Sequence, residues 1–178
     1  MNIVFRELKE KDFESLLLTA LEAWSFTYRD IFGLDHIEGF VKKNYGPERL
    51  HQLLPGMRAG RRFFEVALEE DHVVGFCCAM CTQEGVELNR LYLHPKQIGC
   101  GIGTEFIQRL ETYARKQGVD KCYCYVHKEN ERGKRFYLRK GFLHDSAKDI
   151  DDDWYMVKMI EKDGMRLLRR IRRFLGIN

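Results

Sequence analysis

The chain has 178 residues, of which 44% are hydrophobic and 32% charged, and its formal net charge is +3. These values are typical of one soluble domain with its own core. The net charge is too small to indicate nucleic-acid binding, and the apolar runs are too short to span a bilayer. The N-terminus lacks the basic and apolar segments of a signal peptide, so we expect a cytoplasmic protein.

The first part of the chain predicts one strand followed by helices. Residues 3–8 alternate in polarity like a strand, and from residue 12 to 24 the apolar residues recur at helical spacing. Asp35 is expected to cap a second helix. Pro47 suits the first position of a third, short helix, which should break at Gly56.

The rest of the chain alternates strands and helices. The remaining predicted elements, in chain order, are strands at 63–68, 73–81 and 86–93, a helix at 104–117, a strand at 122–126, a helix at 130–140, and strands at 142–150 and 154–160. This order predicts a mixed α/β (α+β) domain over residues 1–161, with a mixed central sheet of about seven strands flanked by helices.

Six cysteines raise the question of a metal site or disulfides. Cys78 and Cys81 have the spacing of half a zinc site, but on a regular strand they point to opposite faces and cannot share an ion. Cys122 and Cys124 should share one face. We predict buried free thiols in a reducing compartment, and no metal.

A glycine-rich turn follows the strand at 86–93. Gly99, Gly101 and Gly103 let backbone amides point inward, and the next helix begins there, so the turn can hold a pyrophosphate. A plain strand-to-helix connection is the alternative. A dinucleotide-binding fingerprint would lie near the chain start with an acidic residue after the next strand. Here the turn lies past mid-chain and His127 follows that strand, which argues against that class.

These motifs resemble the GCN5-related N-acetyltransferases, the GNAT family, over residues 3–160. The best-defined parts are residues 87–93, 99–104 and 130–142, although Ile98 stands where the family usually has Gln or Arg. The resemblance implies the GNAT fold, acetyl-CoA (coenzyme A) as cofactor, and no nucleophilic role for Cys100. The cofactor-binding residues that it implies are Leu91, Tyr92, Leu93, Ile98, Gly99, Cys100, Gly101, Ile102, Gly103, Thr104, Asn130, Arg132, Lys134 and Tyr137.

Glu87 and Tyr137 are the predicted catalytic residues within that resemblance. An alkyl ammonium has a pKa of about 10.4, so a base must accept its proton, and period-two geometry would put Glu87 on one face with Asn89, Leu91 and Leu93. The Tyr137 hydroxyl can protonate the leaving thiolate. The structural alternatives are an exposed strand carboxylate for Glu87 and a core aromatic for Tyr137.

The predicted acceptor is a small primary amine. The helices of the first fifty residues resemble the bacterial polyamine N-acetyltransferases of the PaiA type, and aspartates in the last predicted loop would attract a polycation. Aspartate also favours turns for local reasons. A protein N-terminus or lysine ranks second, and a non-catalytic acyl-CoA-binding module is the alternative from another class. The predicted substrate-binding residues are Trp24, Tyr28, Glu87, Asp151, Asp152 and Asp153.

Residues 162–178 combine arginines with apolar residues at helical spacing, which predicts a basic amphipathic C-terminal helix. Such a helix can contact an anionic membrane surface, nucleic acid or an acidic partner. We favour packing on its own domain or on a second copy of the chain in a homodimer.

Overall fold

A computed structural model of the chain describes residues 2–161. Its helices and strands, in chain order, are β1 (Val4–Glu7), α1 (Phe13–Phe32), α2 (Leu34–Tyr45), α3 (Pro47–His51), α4 (Leu54–Arg58), β2 (Arg62–Glu69), β3 (His72–Thr82), β4 (Gly85–Leu93), α5 (Ile102–Lys116), β5 (Lys121–His127), α6 (Glu131–Arg139), β6 (Leu143–His144) and β7 (Asp153–Met159). The predicted tail helix at 162–178 lies outside the described residues.

The seven strands within residues 2–161 form one sheet in the order β1-β2-β3-β4-β5-β7-β6. Every neighbouring pair is antiparallel except β4 and β5, which run parallel and are connected through α5. The predicted mixed sheet flanked by helices is thereby confirmed. No helix among the described residues is long and apolar enough to cross a membrane.

Each face of the sheet has its own core. Helices α1, α2 and α3 cover one face and bury residues such as Leu16 and Phe76, whereas α5 covers the other and buries Phe106 and Leu110. We call these the α1 face and the α5 face. The helices fold onto the sheet because their apolar residues recur along one side, as in α5, where the buried positions follow the 3.6-residue period.

The cysteines follow the predicted alternation. Cys77 belongs to the α5-face core and Cys78 to the α1-face core, while Cys122 and Cys124 both lie on the α5 face. All six cysteines are free, but the prediction that they are buried was wrong for Cys81, which is half-buried, and for Cys100, which is exposed. Burial raises the pKa of Cys122 to about 12, so its thiol is protonated and unreactive at neutral pH. Among residues 2–161 no group of three or more metal-ligating side chains is found.

A bulge in β4 changes which side chains share a face. Arg90 pairs with Cys78 and Leu88 pairs with Ala79, so Asn89 is the extra residue between two consecutive pairs. The prediction that Glu87 shares a face with Leu91 was therefore wrong. Leu91 packs on the α5 face, whereas Glu87 lies opposite Met80 on the α1 face.

Two helix predictions needed correction. Gly33, with φ of 72°, is the residue before α2, and its carbonyl accepts the amide of Ile37 at 3.2 Å, so Asp35 lies inside the first turn and does not cap the helix. Gly56 does not break a helix either, because it lies within the short helix α4 that begins at Leu54.

The predicted strand at 142–150 is mostly absent, since only Leu143 and His144 form a ladder with β7, and Ile150 makes a single bridge to Asp153. The Asp145 side chain accepts the amide of Ala147 at 3.3 Å and starts a short 3-10 turn, Ser146–Lys148. This side-chain hydrogen bond offers the backbone an alternative to the strand ladder. Lys148 of this segment lies over the Tyr155 ring of β7, with its Nζ 5.2 Å from the ring centroid.

Candidate active site

A groove of about 360 Å³ opens where β4 and β5 separate. The two strands pair only at Val86 with Cys122 and at Glu87 with Tyr123, so the β4 backbone beyond Glu87 has no ladder partner on the β5 side. Unpaired peptide groups of this kind can bind an extended, amide-containing ligand. The predicted site residues that line the groove are Tyr28, Leu91, Tyr92, Leu93, Ile98, Gly99, Gly101, Gly103, Thr104, Asn130, Arg132 and Tyr137.

The glycine turn forms one end of this groove. Gly99 and Gly101 have φ values of 93° and 89°, which L side chains rarely adopt, and the space that a Cβ would occupy at either position is open. Within residues 2–161 the amides of Gly99 and Gly101 donate to no backbone carbonyl. These free amides and the N-terminus of α5, which begins at Ile102, form a nest for a phosphate group.

Helix α6 forms the opposite wall and is held by Asn130 at its start. The Asn130 side chain accepts the amide of Gly133 at 2.9 Å and donates to the Tyr28 hydroxyl at 3.2 Å. The first contact caps α6, and the second joins it to α1 across the groove. Asn130 therefore connects the two walls of the groove.

Tyr137 lies on the groove side of α6 and is 9% exposed. Burial raises the pKa of its phenol well above the usual value, and the neighbouring Cys124 thiol adds to the effect. The phenol is therefore protonated at every physiological pH, and it can act as a proton donor but not as a base. The ring also packs on Phe142, at 5.2 Å between centroids, which fixes its position.

Glu87 is half-buried on the α1 face and does not line the groove. Its neighbours across the sheet are Met80 on β3 and Tyr123 on β5. A carboxylate there is next to the point where β4 and β5 separate. It can accept a proton from a group that reaches the groove from the α1 face, directly or through a water molecule.

Three tyrosines beside Glu87 form a surface that the sequence analysis missed. The Tyr155 ring lies 5.3 Å from that of Tyr123 and 5.5 Å from that of Tyr125, and Tyr125 also lines the groove. Burial raises the pKa of Tyr155 to about 12, with a further contribution from Glu84. We call Tyr123, Tyr125 and Tyr155 the tyrosine surface, of which Tyr125 is exposed and the other two rings are buried. Alternation of Tyr and Cys along residues 121–127 was the signal that could have revealed it.

An ammonium group already lies on this surface. The Lys148 Nζ is 5.2 Å from the centroid of the Tyr155 ring and 3.7 Å from a carboxylate oxygen of Glu84. This is the geometry of a cation held by an aromatic face and a carboxylate together. The surface is therefore chemically suited to alkyl ammonium groups.

Other predicted residues lie outside the groove. Trp24 is 8% exposed and donates from Nε1 to the Tyr45 hydroxyl at 3.1 Å, so it belongs to the α1-face core. Lys134 ion-pairs with Glu131, and its ammonium lies over the Trp154 ring. The structure also places Cys100 and Ile102 outside the groove lining, the first exposed and the second buried.

The three predicted aspartates of the last loop form a tight turn. Asp151 has φ of 51°, which aspartate tolerates better than most residues, and Asp152 ion-pairs with Lys128. Asp153 pairs in register with His127, and burial raises the pKa of its carboxyl. None of the three lines the groove. The ion pair between Asp152 and Lys128 also neutralises part of the negative charge of this turn.

A sheet that separates beside an amide nest, with a protonated phenol in the gap, defines an enzyme that transfers an acyl group from a coenzyme A thioester. Comparison with known proteins agrees, since the Acetyltransferase (GNAT) family matches residues 28–142. The chain belongs to the GNAT family of N-acetyltransferases. Its cofactor is accordingly acetyl-CoA.

Individual relatives cover nearly the whole chain. The spermidine N(1)-acetyltransferase of Thermoplasma acidophilum is 31% identical over 163 residues, which span 90% of this chain and 99% of the relative. The crystal structure of PaiA N-acetyltransferase from Thermoplasma acidophilum in complex with coenzyme A superposes with a TM-score of 0.84 at 29% identity, over 89% of this chain and 99% of that one. Ard1 from Thermoplasma volcanium shares the fold, with a TM-score of 0.69 at 18% identity over 91% and 100% of the two chains.

Proposed function

We propose that the chain acetylates a polyamine or a similar small primary amine, by direct attack of the amine in a ternary complex. The observation that carries this proposal is the 31% identity to a spermidine acetyltransferase over 99% of that relative's length. The tyrosine surface supports it, because Glu87 places a carboxylate beside these rings, and Glu84 and the Tyr155 ring already hold the Lys148 ammonium there. A polycation would be attracted there before its reacting amine enters the groove.

The groove residues have distinct proposed roles toward the cofactor. The amides of the glycine turn would bind the pyrophosphate, while the unpaired β4 backbone at Leu91 and Leu93, together with Asn130, would hold the pantetheine arm. The fit rests on the free amides and on the open space at Gly99 and Gly101. When bound, acetyl-CoA supplies the acetyl group as an activated thioester. Ile98 is 40% exposed at the mouth of the turn and adds no charge there.

Two side chains divide the proton transfers in this proposal. Tyr137 holds its proton because burial raises the pKa of the phenol, and it would donate that proton to the departing thiolate. Glu87 would accept the proton of the incoming ammonium from the α1 face, through water since the carboxylate does not line the groove. No covalent acyl-enzyme is required, and Cys100 stays outside the groove lining.

The Glu87→Gln variant tests the base. We expect kcat/KM near pH 7 to fall at least about tenfold, because the neutral amide cannot accept the proton. The deficit should shrink as pH approaches the pKa of the free amine, about 10.4, where the acceptor arrives already neutral. The measurement is the pH–rate profile between pH 6 and pH 10.

Glu84→Gln is the matched control, since it removes a carboxylate from the same surface without touching the proposed base. It should raise KM for a polyamine and leave the shape of the profile unchanged. A Glu87→Gln profile that overlays the native one would exclude Glu87 as the base.

The identity of the acceptor is tested with a thiol-release assay. Spermidine, spermine, putrescine, a monoamine of equal length, an N-terminal peptide and a lysine peptide would be compared at saturating acetyl-CoA. We expect kcat/KM for spermidine to exceed that for the monoamine at least about tenfold, because a second ammonium gains the cation–π and carboxylate contacts. Activity confined to the peptides would reject the polyamine and leave protein acetylation.

We also propose a cytoplasmic location. Six free cysteines suit a reducing compartment. The proposed homodimer and the contacts of the C-terminal tail depend on residues 162–178, so they stay predictions from the sequence.

A further inference from the structure

A second cavity lies on the other side of Glu87 from the tyrosine surface. It measures about 390 Å³, it lies between α2, α3 and the α1 face of strands β2 to β4, and its lining includes Trp24, Tyr45, Arg49, Arg62, Met80 and Arg90. We call it the arginine pocket. The register across the sheet places Arg62 opposite Met80, and Met80 opposite Glu87, so the pocket and the tyrosine surface flank the same carboxylate.

Arg90 is half-buried and incompletely paired. One guanidinium nitrogen, Nη2, donates to the Asn44 carbonyl at 3.0 Å, and the group lies 4.6 Å from the centroid of the Tyr45 ring. The other terminal nitrogen, Nη1, is buried and has no hydrogen-bond partner. A buried donor on a charged group is costly to leave without a hydrogen bond, so this nitrogen needs an acceptor from water or from a ligand.

The other two arginines have only weak or neutral acceptors. Arg62 donates to the sulfur atoms of Cys78 at 3.6 Å and Met80 at 3.3 Å, and sulfur is a poor acceptor. Arg49 donates to the amide oxygen of Gln52 at 3.0 Å. Within residues 2–161 none of the three arginines forms an ion pair with a carboxylate.

All three guanidinium groups influence the Cys78 thiol. Burial is the dominant effect on the Cys78 thiol and raises its pKa, whereas Arg90, Arg62 and Arg49 each oppose that rise. Three like charges around one position repel each other, and an anion between them would offset that repulsion. Planar guanidinium groups are also the side chains best matched to carboxylate and phosphate oxygens.

We propose that the arginine pocket binds a small anion that carries carboxylate or phosphate groups, at a site separate from the glycine turn. The volume suits a compact di- or tricarboxylate, or a phosphate monoester. The pocket and the cofactor groove share three lining residues, Asn89, Arg90 and Tyr92. Binding of a ligand in one should therefore change the affinity of the other for its ligand. A polyamine would be repelled from this side of Glu87 and directed toward the tyrosine surface.

The test uses the two tryptophans of the chain. In a Trp154→Phe background the remaining indole is Trp24, which lines the pocket. Citrate and inorganic phosphate would be titrated separately in saturating coenzyme A, so that the glycine turn is already occupied. We expect a saturable change in fluorescence with at least one anion, at constant ionic strength, and no such change with sodium chloride.

Charge-removing variants locate the binding. Arg62→Gln and Arg49→Gln should each raise the Kd of that anion about three- to tenfold, and Arg90→Gln by about tenfold or more. Arg49 is exposed, so its variant keeps the test valid even if Arg90→Gln fails to fold. Arg29→Gln, an exposed arginine on α1, is the matched control and should leave the Kd unchanged. A titration without saturation, or equal Kd values in all variants, would overturn the proposal.

Steady-state kinetics then distinguish two sources of the anionic group. If the acceptor itself carries it, the anion will raise KM for the acceptor without changing kcat. If the anion is a separate ligand, kcat will change as well. The fluorescence titration needs no turnover, so it stands or falls independently of the proposed polyamine reaction.

Discussion

Replacing Gly101 by aspartate is expected to raise the Kd for acetyl-CoA at least about a hundredfold. A side chain fits here, because the space for a Cβ is open, and aspartate tolerates the left-handed conformation that φ of 89° imposes. The new carboxylate would lie in the amide nest and repel a phosphate group. At a separation of about 4 Å two unit charges near a protein surface interact by about 4 kcal/mol. Isothermal titration calorimetry measures the loss.

Gly101→Asn separates charge from shape. Asparagine has nearly the same volume and also adopts positive φ, so its Kd should rise about tenfold at most. The melting temperatures of the two variants should agree, because neither side chain meets a neighbour within 4 Å of its Cβ. Equal Kd values for the aspartate and asparagine variants would show that the turn does not hold the phosphates.

Tyr137→Phe is expected to lower kcat at least about tenfold while the Kd for coenzyme A stays unchanged. The substitution removes only the hydroxyl, and the ring keeps its packing on Phe136 and Phe142. Without a donor the departing thiolate must take its proton from water, which is the loss typical of a missing general acid. Single-turnover kinetics with acetyl-CoA and spermidine would measure the chemical step directly.

Tyr113→Phe is the corresponding control. It removes a hydroxyl that donates to the Gly60 carbonyl at 3.0 Å, and neither residue lines the groove. Its kcat should match that of the native chain. If Tyr137→Phe also retains native turnover at saturating substrates, the phenol is a packing residue, and the thiolate is protonated by another route.

The parts of the groove that depend on local sequence could be predicted. The glycine turn needs residues that accept positive φ, so residue type and spacing predict Gly99 and Gly101. The start of α6 needs a capping side chain, which predicts Asn130. Tyr137 follows from its position two turns into that helix. These features involve contacts within about ten residues, where sequence pattern and geometry are directly linked.

The α1 face of the site could not be predicted in the same way. The bulge at Asn89 is invisible in the sequence, and one extra residue reverses the alternation that placed Glu87 beside Leu91. The tyrosine surface combines residues of β5 and β7, and the arginine pocket combines residues of α3 and of strands β2 to β4, so both depend on strand order and register. Trp24 was misjudged for a similar reason, because its partner Tyr45 lies on another helix.

The separation of β4 from β5 has a consequence for the lifetime of the protein in the cell. Only two ladder pairs join these strands. A ligand bound between them would hydrogen-bond to strand backbone that is otherwise unpaired and would stabilise the contact between the two parts of the sheet. A ligand that binds only the folded state adds about 2.7 kcal/mol to its stability when its free concentration is about 100 times Kd. Resistance to unfolding and proteolysis would then rise and fall with the supply of acetyl-CoA, and turnover of the enzyme would follow the metabolic state of its host.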